Sequence, residues 1–197
     1  MNINRTEYKG YTDEMVNSLG EKNMERNVFF DMDGTLAEWK AAATLEDLLK
    51  PGYFETLKPT DLVKFANELA TNQNFHCYVL SAYMPESNAL KEKKEWCKKY
   101  LPQFDESHLL FVPCGVSKAK FVAEALHLDY FIDGAEERQV LSENDFLVDD
   151  YSYNLNDWEA AGGNGIKWIN DVNGEGKRFK GWRAFSIDDL KSYLGVL

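Results

Sequence analysis

The chain predicts an α/β fold with a mainly parallel sheet, and three observations carry that expectation. Five short apolar runs (27–31, 75–81, 109–112, 145–150 and 165–170) alternate with stretches of helical periodicity. Polar or acidic groups gather where the runs stop, as expected of an open sheet whose strand ends carry the chemistry. The 197 residues are 44% hydrophobic and 14% aromatic, enough for one cored domain with at most a small insertion. Neither internal repeats nor low-complexity tracts interrupt the pattern.

Taken in order, residues 1–26 are a polar leader, with a helical pattern from Thr12 to Leu19 that stops at Gly20. The first strand, 27–31, follows. Between 37 and 74 lie two helical patterns: Thr44–Leu49, which opens like a capped helix, and Thr60–Leu69. The turn Lys50-Pro51-Gly52-Tyr53-Phe54 separates them. After the second strand, an amphipathic helix runs from Ser87 to Tyr100 and closes at Leu101-Pro102. Its Lys91, Lys93, Lys94, Lys98 and Lys99 read as a solvated face. The third strand leads through Pro113-Cys114-Gly115-Val116 to a helix from Ser117 to Leu126. Tyr130–Gly134 imitates the first strand end, and 145–150 is a cleaner strand ending in two acids. Residues 165–170 read as the last core strand. A glycine-rich loop over 171–184 carries Lys177, Arg178, Lys180 and Arg183, most simply as solvated charges. Ser186-Ile187-Asp188-Asp189 caps a terminal helix.

Composition removes several classes of function. With 33 acidic and 22 basic residues the formal charge is −11, which argues against a nucleic-acid polymer or an anionic membrane as partner. A small anionic substrate remains compatible if a metal and local cations reverse the field at the site. Cys77, Cys97 and Cys114 show neither CxxC nor zinc-ligand spacing, and their odd number argues against a disulfide framework. No apolar run reaches membrane-spanning length and no signal-peptide core is visible, so the expectation is a soluble cytoplasmic protein.

The stretch Asn27-Val28-Phe29-Phe30-Asp31-Met32-Asp33-Gly34-Thr35-Leu36 is where chemistry concentrates. Positions i and i+2 of an extended backbone face the same side, so Asp31 and Asp33 converge. Two close carboxylates repel, which makes sense with a cation between them or with one kept protonated. Gly34 lets the chain turn away, and Thr35 offers a hydroxyl to fix the loop. Ser81 ends the second strand at the same edge. Lys118, with Ser117 as N-cap, occupies the first helical position, where the macrodipole disfavours a cation but free N–H groups favour an anion. Asp149 and Asp150 bring two more acids to a strand end. Neighbours in a strand point to opposite faces, so one would reach a cation directly and the other through water or a hydrogen bond.

In this order (Asp-x-Asp-Gly-Thr, Ser, Lys, Asp-Asp) the chain resembles the haloacid dehalogenase-like phosphatase superfamily across residues 27–170. The resemblance implies a Rossmann-like three-layer core, 27–36 plus 75–197, with a small helical cap, 37–74, inserted after the first strand. It implies that Asp31 is the nucleophile that forms an aspartyl-phosphate and that Asp33 is the general acid and then base. Ser81 and Lys118 would bind phosphoryl oxygens. Mg²⁺ would be held by Asp31, Asp33 through its carbonyl, Asp149 and Asp150. Within the superfamily the sequence is similar to the 5′(3′)-deoxyribonucleotidases, on Asp31–Trp39, Pro51–Pro59, Val148–Asp150 with Asn154 and Trp158, and Gly162–Lys167. That likeness implies a nucleoside monophosphate substrate, with Trp39, Tyr53 and Phe54 either stacking on the base or filling the interior of the cap. Sugar phosphates or other small metabolites are the alternative substrates, and a non-catalytic Mg²⁺- or nucleotide-binding module is the alternative to an enzyme.

Overall fold

The computed structural model describes residues 25–39, 44–125, 141–174 and 178–196. The leader pattern at Thr12–Leu19 and the Tyr130–Gly134 run, with Asp133, lie outside the described residues. Among the described residues six strands form one sheet: β1 (Arg26–Phe30), β2 (Phe75–Tyr83), β3 (Leu109–Pro113), β4 (Asp145–Asp149), β5 (Asn164–Trp168) and β6 (Trp182–Ala184). The order across the sheet is β3-β2-β1-β4-β5-β6, and every pairing is parallel. The helices are α1 (Leu45–Leu49), α2 (Leu62–Leu69), α3 (Ala89–Tyr100), α4 (Lys118–Ala125), α5 (Ser152–Ala160) and α6 (Ile187–Leu194).

The parallel sheet is buried on both faces, which is why its strands read as nearly continuous apolar runs. Successive residues of β1 divide between the two sides. Val28 and Phe30 join one apolar cluster with α2, α3 and α6, and Phe29 joins a second with α4 and α5. Helices on both faces make three layers around β1. From α2, Leu62, Val63, Phe65, Ala66 and Leu69 are buried in the first cluster, so the stretch 37–74 contributes a helix to the core layer. By contrast α1 buries no residue and rests on its capping box, Thr44 with Asp47. The terminal helix is capped in the same way by Ser186 and Asp189.

The outer end of the sheet departs from the expected end at residue 170. Within the stretch read as a loop, Trp182–Ala184 pairs with β5 in the register Ile166↔Trp182, Lys167↔Arg183 and Trp168↔Ala184. Three residues flanked by glycine and basic side chains give almost no periodic signal. What fixes the segment is tertiary: Phe179 is fully buried in the second cluster, and Trp182 stacks on Tyr193 at 5.2 Å.

At the opposite end of the strands from the candidate site, β1 and β4 are tied by side chains. Asn27 Nδ2 donates to Asp145 Oδ1 at 2.7 Å, while Asp145 Oδ2 accepts from the Ser142 amide and hydroxyl at 2.7 and 2.9 Å. Trp158 is fully buried, meets Phe29 edge-on at 5.1 Å and donates its indole N–H to the Asp145 carbonyl at 3.0 Å. Cys77 and Cys97 are buried, and burial pushes both thiols up to about 12, as inert core groups. Trp158→Ala is expected to lower unfolding free energy by about 3–5 kcal/mol in urea titration. A loss under about 1 kcal/mol, the scale of an average substitution, would contradict this account of the second cluster.

Candidate active site

The site is built where β1 stops. The Asp31 amide donates to the Val148 carbonyl at 2.9 Å, one step past the Phe30↔Val148 pairing, which sets Asp31 beside Asp149. The chain then closes a tight turn, with the Leu36 and Ala37 amides donating to the carbonyls of Asp31 at 3.3 Å and Met32 at 2.7 Å. Gly34 sits at φ +81°, and a Cβ there would lie 2.3 Å from Asp150 Oδ2. Handedness and close approach both require glycine. Thr35 departs from expectation: its hydroxyl is buried and has no partner among the described residues. The backbone already closes the loop, and the Thr60 hydroxyl, not that of Thr35, pins it by donating to the Thr35 carbonyl at 2.7 Å.

Asp31, Asp149 and Asp150 are buried, and each offers a carboxylate oxygen within 4.8 Å of the other two. The strand alternation that would have separated Asp149 from Asp150 does not apply, because β4 ends at Asp149. Lys118 is buried against them, with Nζ donating to Asp31 Oδ1 at 2.6 Å and to Asp149 Oδ2 at 2.7 Å. Its backbone position is as the sequence implied, since the Ser117 hydroxyl accepts from the Lys120 amide at 3.1 Å. Asp149 is further held by the Tyr151 amide at 2.7 Å and Asn154 Nδ2 at 2.8 Å. Asp150 Oδ2 accepts from Asn170 and Asn173, each at 2.7 Å, and its carbonyl accepts from the buried Lys167.

Burial pushes the Asp31 carboxyl up to about 8 against the lowering effect of Lys118, with Asp149, Asp33 and Asp150 adding to the rise. Burial also raises Asp150 to about 6, helped by Asp149 and opposed by Asn170 and Asn173. Burial depresses the Lys118 ammonium, but its ion pairs with Asp149 and Asp31 outweigh that and push it up. If fully ionised, three carboxylates and one ammonium would leave a local charge of −2 (−3 + 1). A set of oxygen-only donors with this charge fits a hard divalent cation and suits zinc poorly.

Ser81 and Asp33 complete the edge, joined by a residue that the sequence reading placed elsewhere. Lys93, expected on the solvated face of its helix, is fully buried. Its Nζ is ion-paired with Asp33 Oδ2 and donates to the Ala82 carbonyl at 2.6 Å and to the Ser81 hydroxyl at 3.0 Å. So Asp33 has a lysine ammonium in contact. The physical reason lies in the helix: Ala89, Glu92, Lys93, Trp96 and Cys97 share its buried face, while Lys91, Lys94, Lys98 and Lys99 are exposed. Beside it, Glu92 accepts from the amides of Gly52 at 2.6 Å and Phe54 at 3.0 Å, fixing the turn that precedes Leu57. Of the aromatics considered for base stacking, Tyr53 and Phe54 are buried in the first cluster and Trp39 is half-buried against it. Phe54 places its ring 4.6 Å from Lys93 Nζ.

No protein-family profile matches the chain. A curated protein of Staphylococcus epidermidis named "Putative 5'(3')-deoxyribonucleotidase" is 28% identical over 154 residues, 77% of this chain and 68% of its own length. Among solved structures, a "Putative Phosphatase from Clostridium difficile" superposes with a TM-score of 0.55 at 13% identity, covering 88% of this chain and 100% of that one. A "Had-superfamily hydrolase from Ehrlichia chaffeensis" gives 0.51 at 14% identity, over 87% and 98%. The chain shares the fold of these phosphatase and hydrolase structures. The DsGPDH of Dunaliella salina is also similar, with a TM-score of 0.54 at 14% identity, but 92% of this chain covers only 30% of that larger one. These structural likenesses concern the fold alone.

Several groups around these acids and Lys118 were not singled out from sequence. Lys93 carried a usable signal, since it lies three residues before Trp96 and four after Ala89, on the apolar stripe. Asn170 donates both to Gly34's carbonyl and to Asp150, each at 2.7 Å, yet it is 136 residues from Gly34 and no local pattern announces it. Lys167 resembled an ordinary strand residue. The raised carboxyls also make a measurable statement. A cation needs Asp31 and Asp150 ionised, so divalent-metal affinity is expected to climb as pH passes from about 6 to about 8, with proton release on binding. Without metal the sign reverses for stability. Raised carboxyls favour the fold at low pH, and that contribution is lost as pH rises from the ordinary carboxylate value of 3.8 to about 6 for Asp150 and about 8 for Asp31. Calorimetry with Mg²⁺ at pH 6, 7 and 8 checks the first statement; an affinity flat or falling with pH would contradict it.

Proposed function

We propose that the protein is a Mg²⁺-dependent phosphomonoesterase that works through an aspartyl-phosphate on Asp31 and acts on deoxyribonucleoside monophosphates. The observation that carries this reading is the convergence of Asp31, Lys118, Asp149 and Asp150 at one buried point, with Asp33 and Ser81 beside it. The curated relative's name supports the choice of substrate.

Asp31, Asp149 and Asp150, with the Asp33 carbonyl, would hold the cation, which when bound supplies charge neutralisation for attack by one anion on another. Lys118 meets two acceptors, Asp31 and Asp149, and an ammonium has three N–H donors. The third suits a phosphoryl oxygen, as does the Ser81 hydroxyl. A carboxylate oxygen of Asp31 bonds to phosphorus as the bond to the leaving oxygen breaks, and Asp33 gives that oxygen its proton. Water then attacks the same phosphorus and passes a proton to Asp33. The bond to Asp31 breaks and phosphate leaves.

Residues 37–74 act in this reading as the cap over the edge, with α2 as its base on the core. A second reading, sugar phosphates or other small metabolites, is favoured by the burial of Tyr53 and Phe54, which are not displayed for stacking. Phosphate release from deoxy- and ribonucleoside monophosphates and sugar phosphates, with Mg²⁺ or EDTA, separates the two. Mg²⁺-dependent release from deoxynucleotides is expected, falling by roughly three orders of magnitude or more in Asp31→Asn. Release from sugar phosphates alone would move the assignment to the second reading, and release from none would sink both.

A further inference from the structure

We propose that Lys93 is a positioning residue for the bond-breaking step, holding Asp33 so that its second carboxylate oxygen meets the leaving group. The proposal rests on the phosphomonoesterase reading, in which Asp33 protonates the leaving oxygen.

The hydrogen-bond inventory decides the role. A lysine ammonium has three N–H donors and no acceptor. Lys93 meets three acceptors from this chain: Asp33 Oδ2, the Ser81 hydroxyl and the Ala82 carbonyl. The Phe54 ring covers the ammonium at 4.6 Å, and the side chain has no exposed surface. No donor remains for a phosphoryl oxygen, in contrast to Lys118, so Lys93 acts through its partners. Asp33 shows the complementary arrangement. Oδ2 is anchored on Lys93, and Oδ1 is buried with no partner among the described residues. One oxygen is clamped, and the other is enclosed with its hydrogen-bonding capacity unused.

Stability alone does not account for a cation here. A buried ion pair contributes little net stability compared with an apolar side chain of similar volume, and Trp96, Cys97 and Ala89 on the same face show how an apolar residue would fit. Fixing the carboxylate rotamer is what the pair adds, because proton transfer requires the donor oxygen within hydrogen-bond reach of the leaving atom. Glu92, the preceding residue, binds the turn that carries Phe54, so one stretch of helix fixes both the proton donor's anchor and the ring above it.

Leaving-group dependence gives the test. An alkyl ester such as a nucleoside monophosphate needs protonation of its leaving oxygen, whereas a p-nitrophenyl ester departs as a stable anion. The measurement is kcat/KM, which reports the first phosphoryl transfer, for both esters in the wild type, Lys93→Met, Asp33→Asn and the double variant. Lys93→Met is expected to lose about tenfold or more on the alkyl ester beyond its loss on the p-nitrophenyl ester. It should add less than about threefold in the Asp33→Asn background, since residues acting as a unit are non-additive. Equal losses on both esters, or full additivity with Asp33→Asn, would overturn the assignment while leaving the phosphomonoesterase reading intact. A wild type inactive on both esters would remove both. If Lys93→Met does not fold, Lys93→Gln carries the same comparison, its neutral amide keeping two N–H donors but losing the charge, and equal losses there overturn the proposal too.

Discussion

Repulsion among carboxylates at one end of a parallel sheet is the constraint on which the rest of this structure depends. Asp31, Asp149 and Asp150 are buried within 4.8 Å of one another, where each raises the cost of ionising the next. The fold tolerates this because Lys118 is driven into the cluster from a helix start and amides and side-chain donors satisfy the oxygens. The repulsion also explains the exacting turn after β1. Gly34 has to pass within contact of Asp150, so the backbone itself is part of the wall.

Two of the buried lysines divide Asp31, Asp149 and Asp33 between them. Lys118 neutralises the carboxylates grouped for a cation, and Lys93 takes the acid on the other side of the turn. Asp31 and Asp33 are two residues apart in sequence, yet each has its own cation, delivered by different helices on opposite faces of the sheet. α4 contributes to the cluster around Phe29, and α3 to the cluster around Phe30. Alternation along β1 would put both acids on one side, so it is the turn beyond the strand end at Phe30 that lets α3 reach Asp33.

The fold class was legible because a parallel sheet covered on both faces writes its strands as apolar runs, and 27–31, 75–81, 109–112, 145–150 and 165–170 all became strands. The motif residues were legible because each stands at a strand end or helix start, where a short local pattern suffices. What escaped depends on distance. β6 is three residues long and is defined by its pairing with β5, and Asn170 matters only because the fold returns it to Gly34. Lys93 shows a different limit. Its position on the apolar stripe was readable, but a lysine among lysines suggested solvent until the partner Asp33 was in place.

The contacts that draw the edge together join residues 60, 87 and 136 positions apart in the chain. Long loops have to close before any of them can form, and such contacts mature late in folding. Until β1 pairs with β4, Asp31 is apart from Asp149 and Asp150, so the repulsion between the two strand ends is felt only once that pairing forms. A ligand that relieves it therefore acts on the finished molecule and not on the route to it. Occupancy of the cluster would slow unfolding and leave the folding rate almost untouched, making bound cation a source of kinetic persistence.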